Sequence, residues 1–289
     1  MATATYAYFI IRPGSRFCSG NPTTKWTAKV EMCLVIFAYR YQPGYRLIVA
    51  ANRDEYYARP SSPAAFWGDS PDVLAGRDLQ EMGTWMGITR TGRFAALTNF
   101  RDPTKVRSGR RSRGELVSRF LRGTDTPEKY LKDIRRGGVA YNGFNLLVGD
   151  CNSLWYYSNQ ADQVVLLEPG VYGLSNHLLD TPWPKVSIAK TNLTEHLAES
   201  TEVTPGPLLE MLSDRSIPPD NCLPDTGVGL ERERMLAPIY IDGTEYGTRA
   251  STALTVTETG FVSFVERTGD RDAVFDFAIP DWGCCRRPD

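Results

Sequence analysis

The residue in this chain with the most chemistry to offer is Cys33, in Met32-Cys33-Leu34-Val35-Ile36-Phe37-Ala38. Alone, a cysteine leading into an apolar strand reads as a small core hydrophobe. Its neighbour adds a second reading. If Met32 is the initiator and is trimmed away, Cys33 becomes the N-terminal residue and its thiol lies beside its own α-amine. An α-amine, with a pKa of about 7.7–8.0, suits a general base at neutral pH. An unperturbed thiol, with a pKa of about 8.5, is only slightly ionised at pH 7 and gains from a nearby cation. The second candidate group is Ala51-Asn52-Arg53-Asp54-Glu55, at the end of the next strand. A hairpin returns that end to the start of the first strand, so Arg53 or Asp54 approaches Cys33. Arginine would favour the thiolate, and aspartate would hold or orient the amine. The plainer reading of the same residues is a strand-end ion-pair cluster.

The elements that must position these groups follow from the pattern. Leu34–Tyr39 and Arg46–Asn52 form a hairpin around Gln42-Pro43-Gly44, and Thr84–Thr89 and Arg93–Asn99 repeat the theme around Thr91-Gly92. Ser112–Arg122 carries a helical stripe, and Thr126-Pro127-Glu128 caps a second helix that runs through Ile134 and stops at Gly137-Gly138. Strands are expected at Phe144–Val148, Leu154–Tyr157, Val164–Leu167 and Val171–Leu174, and helices at Trp183–Leu197 and Pro207–Ser213. After a long loop over residues 217–229, Thr252–Thr257 and Phe261–Glu266 close with a hairpin at Thr259-Gly260. Runs of strands interrupted by blocks of helix predict an α+β fold with largely antiparallel sheets and helices packed outside.

Composition narrows the function. The 289 residues include 33 basic and 34 acidic ones, a formal charge of −1, and that balance provides no overall field for a polyanion. No apolar run has the length of a membrane-spanning helix. The six cysteines, at 18, 33, 151, 222, 284 and 285, have neither metal-site spacing nor the density of a disulfide scaffold, so a cytoplasmic protein with reduced thiols is expected. Residues 1–31 match nothing that follows: they are either a disordered extension or a stretch upstream of the true start at Met32, and we expect the second. A single domain over 32–283 and a short tail at 284–289 complete the expected organisation.

Several blocks carry a resemblance. Met32-Cys33-Leu34-Val35, Asn52-Arg53-Asp54-Glu55, Gly83-Thr84-Trp85, Ala96-Leu97-Thr98-Asn99-Phe100 and Ser112-Arg113-Gly114-Glu115-Leu116 occur in order. They are followed by Gly143-Phe144-Asn145-Leu146-Leu147, Gly173-Leu174-Ser175-Asn176, Pro182-Trp183-Pro184-Lys185 and Gly247-Thr248-Arg249. Together they resemble the NRDE family, of the transport-and-Golgi-organization type, over roughly Met32 to Trp282. The resemblance implies an Ntn-hydrolase-like four-layer αββα sandwich and, more distantly, similarity to penicillin V acylases and bile-salt hydrolases. Carried over by motif, Cys33 resembles the nucleophile, Arg53 and Asp54 the pair one hairpin later, Asn99 and Asn176 the oxyanion contributors, and Arg249 the late arginine. Asn52 and His177 join as ligand-binding candidates. The activity implied is hydrolysis of a C–N bond in a small molecule, with no cofactor required and no metal site. A self-basic cysteine needs a free α-amine, which Cys33 lacks as the sequence is written.

A different class competes: the family resemblance also implies haem trafficking, with haem as cargo. The chain offers His177 and His196 as imidazoles, and Cys284-Cys285-Arg286-Arg287 near its end. A third reading takes Lys105, Arg107, Arg110, Arg111 and Arg113 as a grip for an acidic ligand, against a solvated loop. Trp67, Trp85 and Trp183 line an apolar pocket or simply pack in the core.

Overall fold

Strand β1 (Met32–Tyr39) is buried at every position, as a strand covered on both faces must be. In the computed structural model, which describes residues 32–137, 140–280 and 282, it lies inside a six-stranded antiparallel sheet. The order is β10 (Gly170–Leu174), β1, β2 (Tyr45–Tyr56), β11 (Tyr246–Thr257), β12 (Phe261–Thr268), β13 (Arg271–Ala278). The second sheet is a seven-stranded meander in chain order: β3 (Ser61–Trp67), β4 (Ser70–Asp78), β5 (Met86–Thr89), β6 (Phe94–Asn99), β7 (Phe144–Gly149), β8 (Leu154–Ser158) and β9 (Gln163–Leu166). The expectations for residues 1–31, for Gly138 as a helix stop and for Cys284-Cys285 lie outside the described residues.

The side-chain period of two sorts each central strand between two cores. Val35, Phe37, Leu47 and Val49 meet Met86, Ile88, Ala96 and Leu147 between the sheets. Leu34, Ile36, Ile48 and Ala50 face outward onto α3 (Pro184–Glu199) and α4 (Pro205–Met211), through Val186, Ala189, Leu193 and Leu208. The outer face of the second sheet, with Ala95, Leu97, Leu146 and Val148, packs on α1 (Gly114–Arg122) and α2 (Pro127–Gly137) through Leu116, Val117, Phe120 and Leu131. Three apolar layers thus bind four structural ones, and the fold is α+β in the order αββα. A smaller cluster at one end joins Met32 to Leu236, Ile241 and Tyr246, with Leu236 closing α5 (Leu230–Leu236).

The expected helices and most strands form within a few residues of their predicted bounds, but β2 runs on past Asn52 to Tyr56 and β11 begins at Tyr246 rather than Thr252; α2 begins as its sequence dictates, with the Lys129 amide donating to Thr126 Oγ1 at 3.4 Å. Strands β3, β4 and β13 and helix α5 are additions to the sequence reading. Pro63 sits in β3, which is tolerable because β3 is an edge strand. In β13, half-buried Ala273, Phe275 and Phe277 alternate with exposed positions at the other sheet's edge, and Asp272 and Asp276 interrupt the apolar residues, so no long apolar run marks it. No described helix is long and apolar enough to cross a membrane.

Candidate active site

Hairpin pairing of β1 and β2 sets the geometry: Cys33 lies directly across from Arg53, and Met32 across from Asp54. Cross-strand partners share a face. Cys33 and Arg53 therefore occupy the inter-sheet face with Val35 and Val49, whereas Asn52 and Asp54 occupy the helix-covered face with Ile48 and Ala50. A pocket of about 290 Å³ opens where the ends of the two sheets meet. Cys33, Arg53, Asp54 and Arg249 line it from the first sheet, Asn99 and the neighbouring Trp85 from the second, and residues 110–114 from the approach to α1.

The Cys33 side chain is buried, 7% exposed. Burial pushes its thiol up, and the Asp54 carboxylate pushes the same way. Arg53 and the Asp54 backbone amide pull it down, and Glu55 adds a smaller upward push. Raised in this way, the thiol needs a base to ionise it near neutral pH. Its carbonyl accepts a hydrogen bond from Ser175 Oγ at 3.0 Å, which fixes the start of β1 to the end of β10.

Asp54 is 1% exposed. One carboxylate oxygen accepts from Thr248 Oγ1 at 2.6 Å; the other, Oδ2, is buried with no hydrogen-bond partner among the described residues. Desolvation raises its pKa to about 6, opposed by Lys185, by the Thr248 hydrogen bond and by Arg53. An unpartnered buried carboxylate oxygen is costly, and this one belongs to the residue paired with Met32, where an α-amine on Cys33 would emerge. The Met32 amide itself donates to Tyr246 Oη at 2.7 Å. On the pocket side, Arg53 reaches Glu55 at 3.5 Å.

Arg249 sits at a register shift in the pairing of β11 with β2, between Thr248 and Ala250. Such a bulge re-aims a side chain, and Arg249 lines the pocket while donating through Nη1 to the carbonyls of Tyr56, at 3.2 Å, and Arg59. Burial first and the nearby Arg53 second lower its pKa. Asn99, the last residue of β6, is in the lining.

Three sequence candidates fall elsewhere. Asn176 is fully buried outside the lining; its Nδ2 donates to Asn99 O at 2.9 Å and its Oδ1 accepts from Ser175 Oγ at 3.1 Å. It thus props the residue that does face the pocket. Asn52 is fully buried on the helix side, where Nδ2 donates to Leu212 O at 3.0 Å and Ile239 O at 2.8 Å, and Oδ1 accepts from Ser251 Oγ at 2.7 Å. Both amide hydrogens are thus spent and the oxygen holds a donor, and the side chain lies outside the pocket lining, out of reach of a ligand there. His177 also lies outside the lining: its ring packs between Phe100 and Trp183, and Nδ1 bonds Thr181 Oγ1 at 2.8 Å. Burial, then Arg101, lower its pKa. Of the tryptophans, Trp85 lines the pocket, Trp67 packs under α1 and Trp183 stacks on Arg101. Of the five residues read from the sequence as an acidic-ligand grip, Arg110, Arg111 and Arg113 form part of the pocket wall, whereas Lys105 and Arg107 lie outside the lining; Arg111 is paired with Glu115 at 2.7 Å.

Sequence reasoning missed Thr248, Tyr246 and Lys185. Thr248 and Lys185 stand inside quoted blocks, but a threonine in a strand and a lysine in a first helical turn look like ordinary surface residues until their burial is seen.

These features define an α+β protein of two stacked antiparallel sheets with a cysteine-centred pocket at their common end. A family model described as Transport and Golgi organisation 2 matches residues 32–271, and the chain belongs to that family. It is 39% identical over 258 residues to a human Transport and Golgi organization protein 2 homolog and 38% identical over 257 residues to the Bos taurus homolog, in each case over 82% of this chain and 93% of the relative. Among solved structures it is similar to a conjugated bile acid hydrolase from Clostridium perfringens, with 10% identity, a TM-score of 0.41 and coverage of 86% of this chain and 92% of that one.

Proposed function

We propose that the protein is a hydrolase of a C–N bond in a small molecule, acting in the cytoplasm, with Cys33 as an N-terminal nucleophile once its α-amine is free. The observation that carries this reading is the pairing of Cys33 with Arg53 and of Met32 with Asp54 around one pocket, with Asp54 Oδ2 unspent. A free amine on Cys33 supplies the donor that this oxygen lacks and, as a base, takes the thiol proton. The thiolate then attacks the amide carbon. A C–S bond forms, the carbonyl oxygen gains the negative charge, and Arg53 on the same face balances the charge of the approaching thiolate. We assign the oxyanion to Asn99, which lines the pocket and whose carbonyl Asn176 holds. Collapse breaks the C–N bond, and the ammonium on Cys33 returns the proton to the departing amine. Water, deprotonated by the same amine, attacks the thioester; the C–S bond breaks, a carboxylic acid leaves and the thiol is restored.

The haem reading gains no support at His177, whose ring is packed and hydrogen-bonded outside the pocket.

Two measurements test the hydrolase. Intact mass of the protein from its native source should show Cys33 as residue one. A panel of small amides followed by mass spectrometry should show turnover that Cys33→Ala abolishes, by at least about a thousandfold for a covalent nucleophile. Turnover that survives Cys33→Ala, or a native N-terminus upstream of Cys33 in an active preparation, overturns it.

A further inference from the structure

Lys185 is the charged residue that the reaction above leaves unused. It lies in the first turn of α3, on the helix-covered side of the first sheet, and is 3% exposed. Buried lysines without a carboxylate partner are rare and costly. Its ammonium has three protons to donate; the acceptor it meets is Leu236 O, at 3.1 Å. Leu236 in turn packs on Met32 and Tyr246. The ammonium is therefore delivered to the same end of the sheet where Met32 faces Asp54 and where Asp54 Oδ2 has no partner. A buried cation with unspent donors and a buried anion with an unspent acceptor share one neighbourhood.

We infer that Lys185 is a positioning residue for the nucleophile: from the helix side of the sheet it balances the Asp54 carboxylate and keeps it anionic opposite the Met32–Cys33 junction. The inference rests on the reading of Cys33 as the nucleophile. The groups facing Lys185 agree with it. Asp54 from β2 supports its charge most, Arg101 after β6 opposes it, and Cys33 of β1 and Glu233 of α5 support it more weakly. Arg101 is itself engaged by Glu233 at 2.8 Å. From Asp54's side, Lys185 is the leading group that favours the anion, ahead of the Thr248 hydrogen bond and Arg53. The Tyr246 hydroxyl, held neutral by burial and by Asp54, adds no charge.

The arrangement has a catalytic consequence. An α-amine freed at Cys33 enters beside a carboxylate that one ammonium already balances. Two cations sharing one buried anion each hold their proton less firmly than either would alone. Lys185 thereby helps to keep the amine as the free base that the thiol requires.

The test is a carbon-13 carboxyl NMR titration of the full chain, with the Asp54 signal assigned through Asp54→Asn. Asp54 should titrate near pH 6 in the wild type. In Lys185→Met it should titrate at least about one unit higher, and Lys185→Arg should bring it back, because only charge is restored. An Asp54 titration unmoved in folded Lys185→Met overturns the inference. If that variant does not fold, the coupling is read from the other side, since it is reciprocal: Asp54→Asn should lower the titration of Lys185 below its wild-type value of about 8, and an unchanged Lys185 overturns the inference equally. Neither readout uses turnover, so a failed hydrolase reading and a failed role for Lys185 give separate results.

Discussion

Asn52 and Asp54 stand two positions apart on the same face of β2, and the difference between them is one of satisfaction. Every polar atom of the Asn52 side chain is spent on structure: it ties the carbonyls of Leu212 and Ile239 to the sheet and takes the Ser251 hydroxyl. Asp54 keeps one oxygen in reserve. A buried group with all its bonds made holds the fold, and one with a bond missing waits for a partner. Asn52→Ala should therefore act on stability alone. It strands two buried carbonyls and a hydroxyl, each costing about 1–3 kcal/mol less whatever water recovers, and should lower the unfolding free energy by about 2–4 kcal/mol in a urea titration. The rate at which iodoacetamide alkylates Cys33 in the native protein should stay within about twofold of wild type, because no Asn52 contact reaches the pocket. An alkylation rate changed tenfold would return Asn52 to the site.

At the scale of elements, the wall opposite Cys33 depends on two glycines. A Cβ at Gly83 would lie 2.6 Å from the Gly114 carbonyl carbon and 2.8 Å from its oxygen. The turn before β5 and the first turn of α1 touch there backbone to backbone, with Thr84 N donating to Gly114 O at 3.3 Å. A Cβ at Gly114 would meet Thr84 O and N at 3.2 and 3.3 Å and Gly83 Cα at 3.5 Å, which a small shift relieves. Gly83→Ala should cost about 1–3 kcal/mol, and Gly114→Ala less; thermal unfolding of the two variants checks the order, and the reverse order would refute this account of the wall. This contact also shows what the sequence made legible. Gly83-Thr84-Trp85 and Ser112-Arg113-Gly114 were visible as separate blocks, and so were Cys33 and Arg53, since a hairpin of that length brings its ends together. The hidden part was which blocks touch across layers. Nothing in a one-dimensional pattern says that Lys185 is buried against Leu236 at the Met32 end of the sheet, that Asn176 props Asn99 rather than facing the pocket, or that His177 turns into an aromatic stack. Those placements follow from sheet twist and helix docking, which period and composition leave open.

For the molecule as a whole, a buried lysine beneath the sheet makes stability rise with pH, the sign familiar from acid denaturation, but in an alkaline window. Desolvation lowers the Lys185 pKa to about 8 in the folded state, with Asp54 resisting, whereas the unfolded chain keeps the ordinary value near 10.4. Below about pH 8 the group is protonated in both states and contributes no slope. Between about 8 and 10.4 the unfolded chain holds the proton that the fold has released, so stability rises with pH by up to about 1.4 kcal/mol per unit. Asp54 works in another window: its folded value of about 6 lies above the ordinary carboxylate range, so its contribution is complete in acid and is lost as pH rises through about 4 to 6. Burial also raises several tyrosines, among them Tyr130, Tyr156 and Tyr246, and these lose stability as the unfolded chain ionises near pH 10. A wild-type curve alone therefore mixes the effects, and a difference isolates the lysine. Urea unfolding of wild type and Lys185→Met at pH 8.0 and 9.5 should show the wild type gaining about 1–2 kcal/mol on the variant across that interval, since the tyrosines are common to both. Parallel curves would mean that Lys185 does not titrate in the fold, and the four-layer sandwich would then hold its ammonium charged throughout.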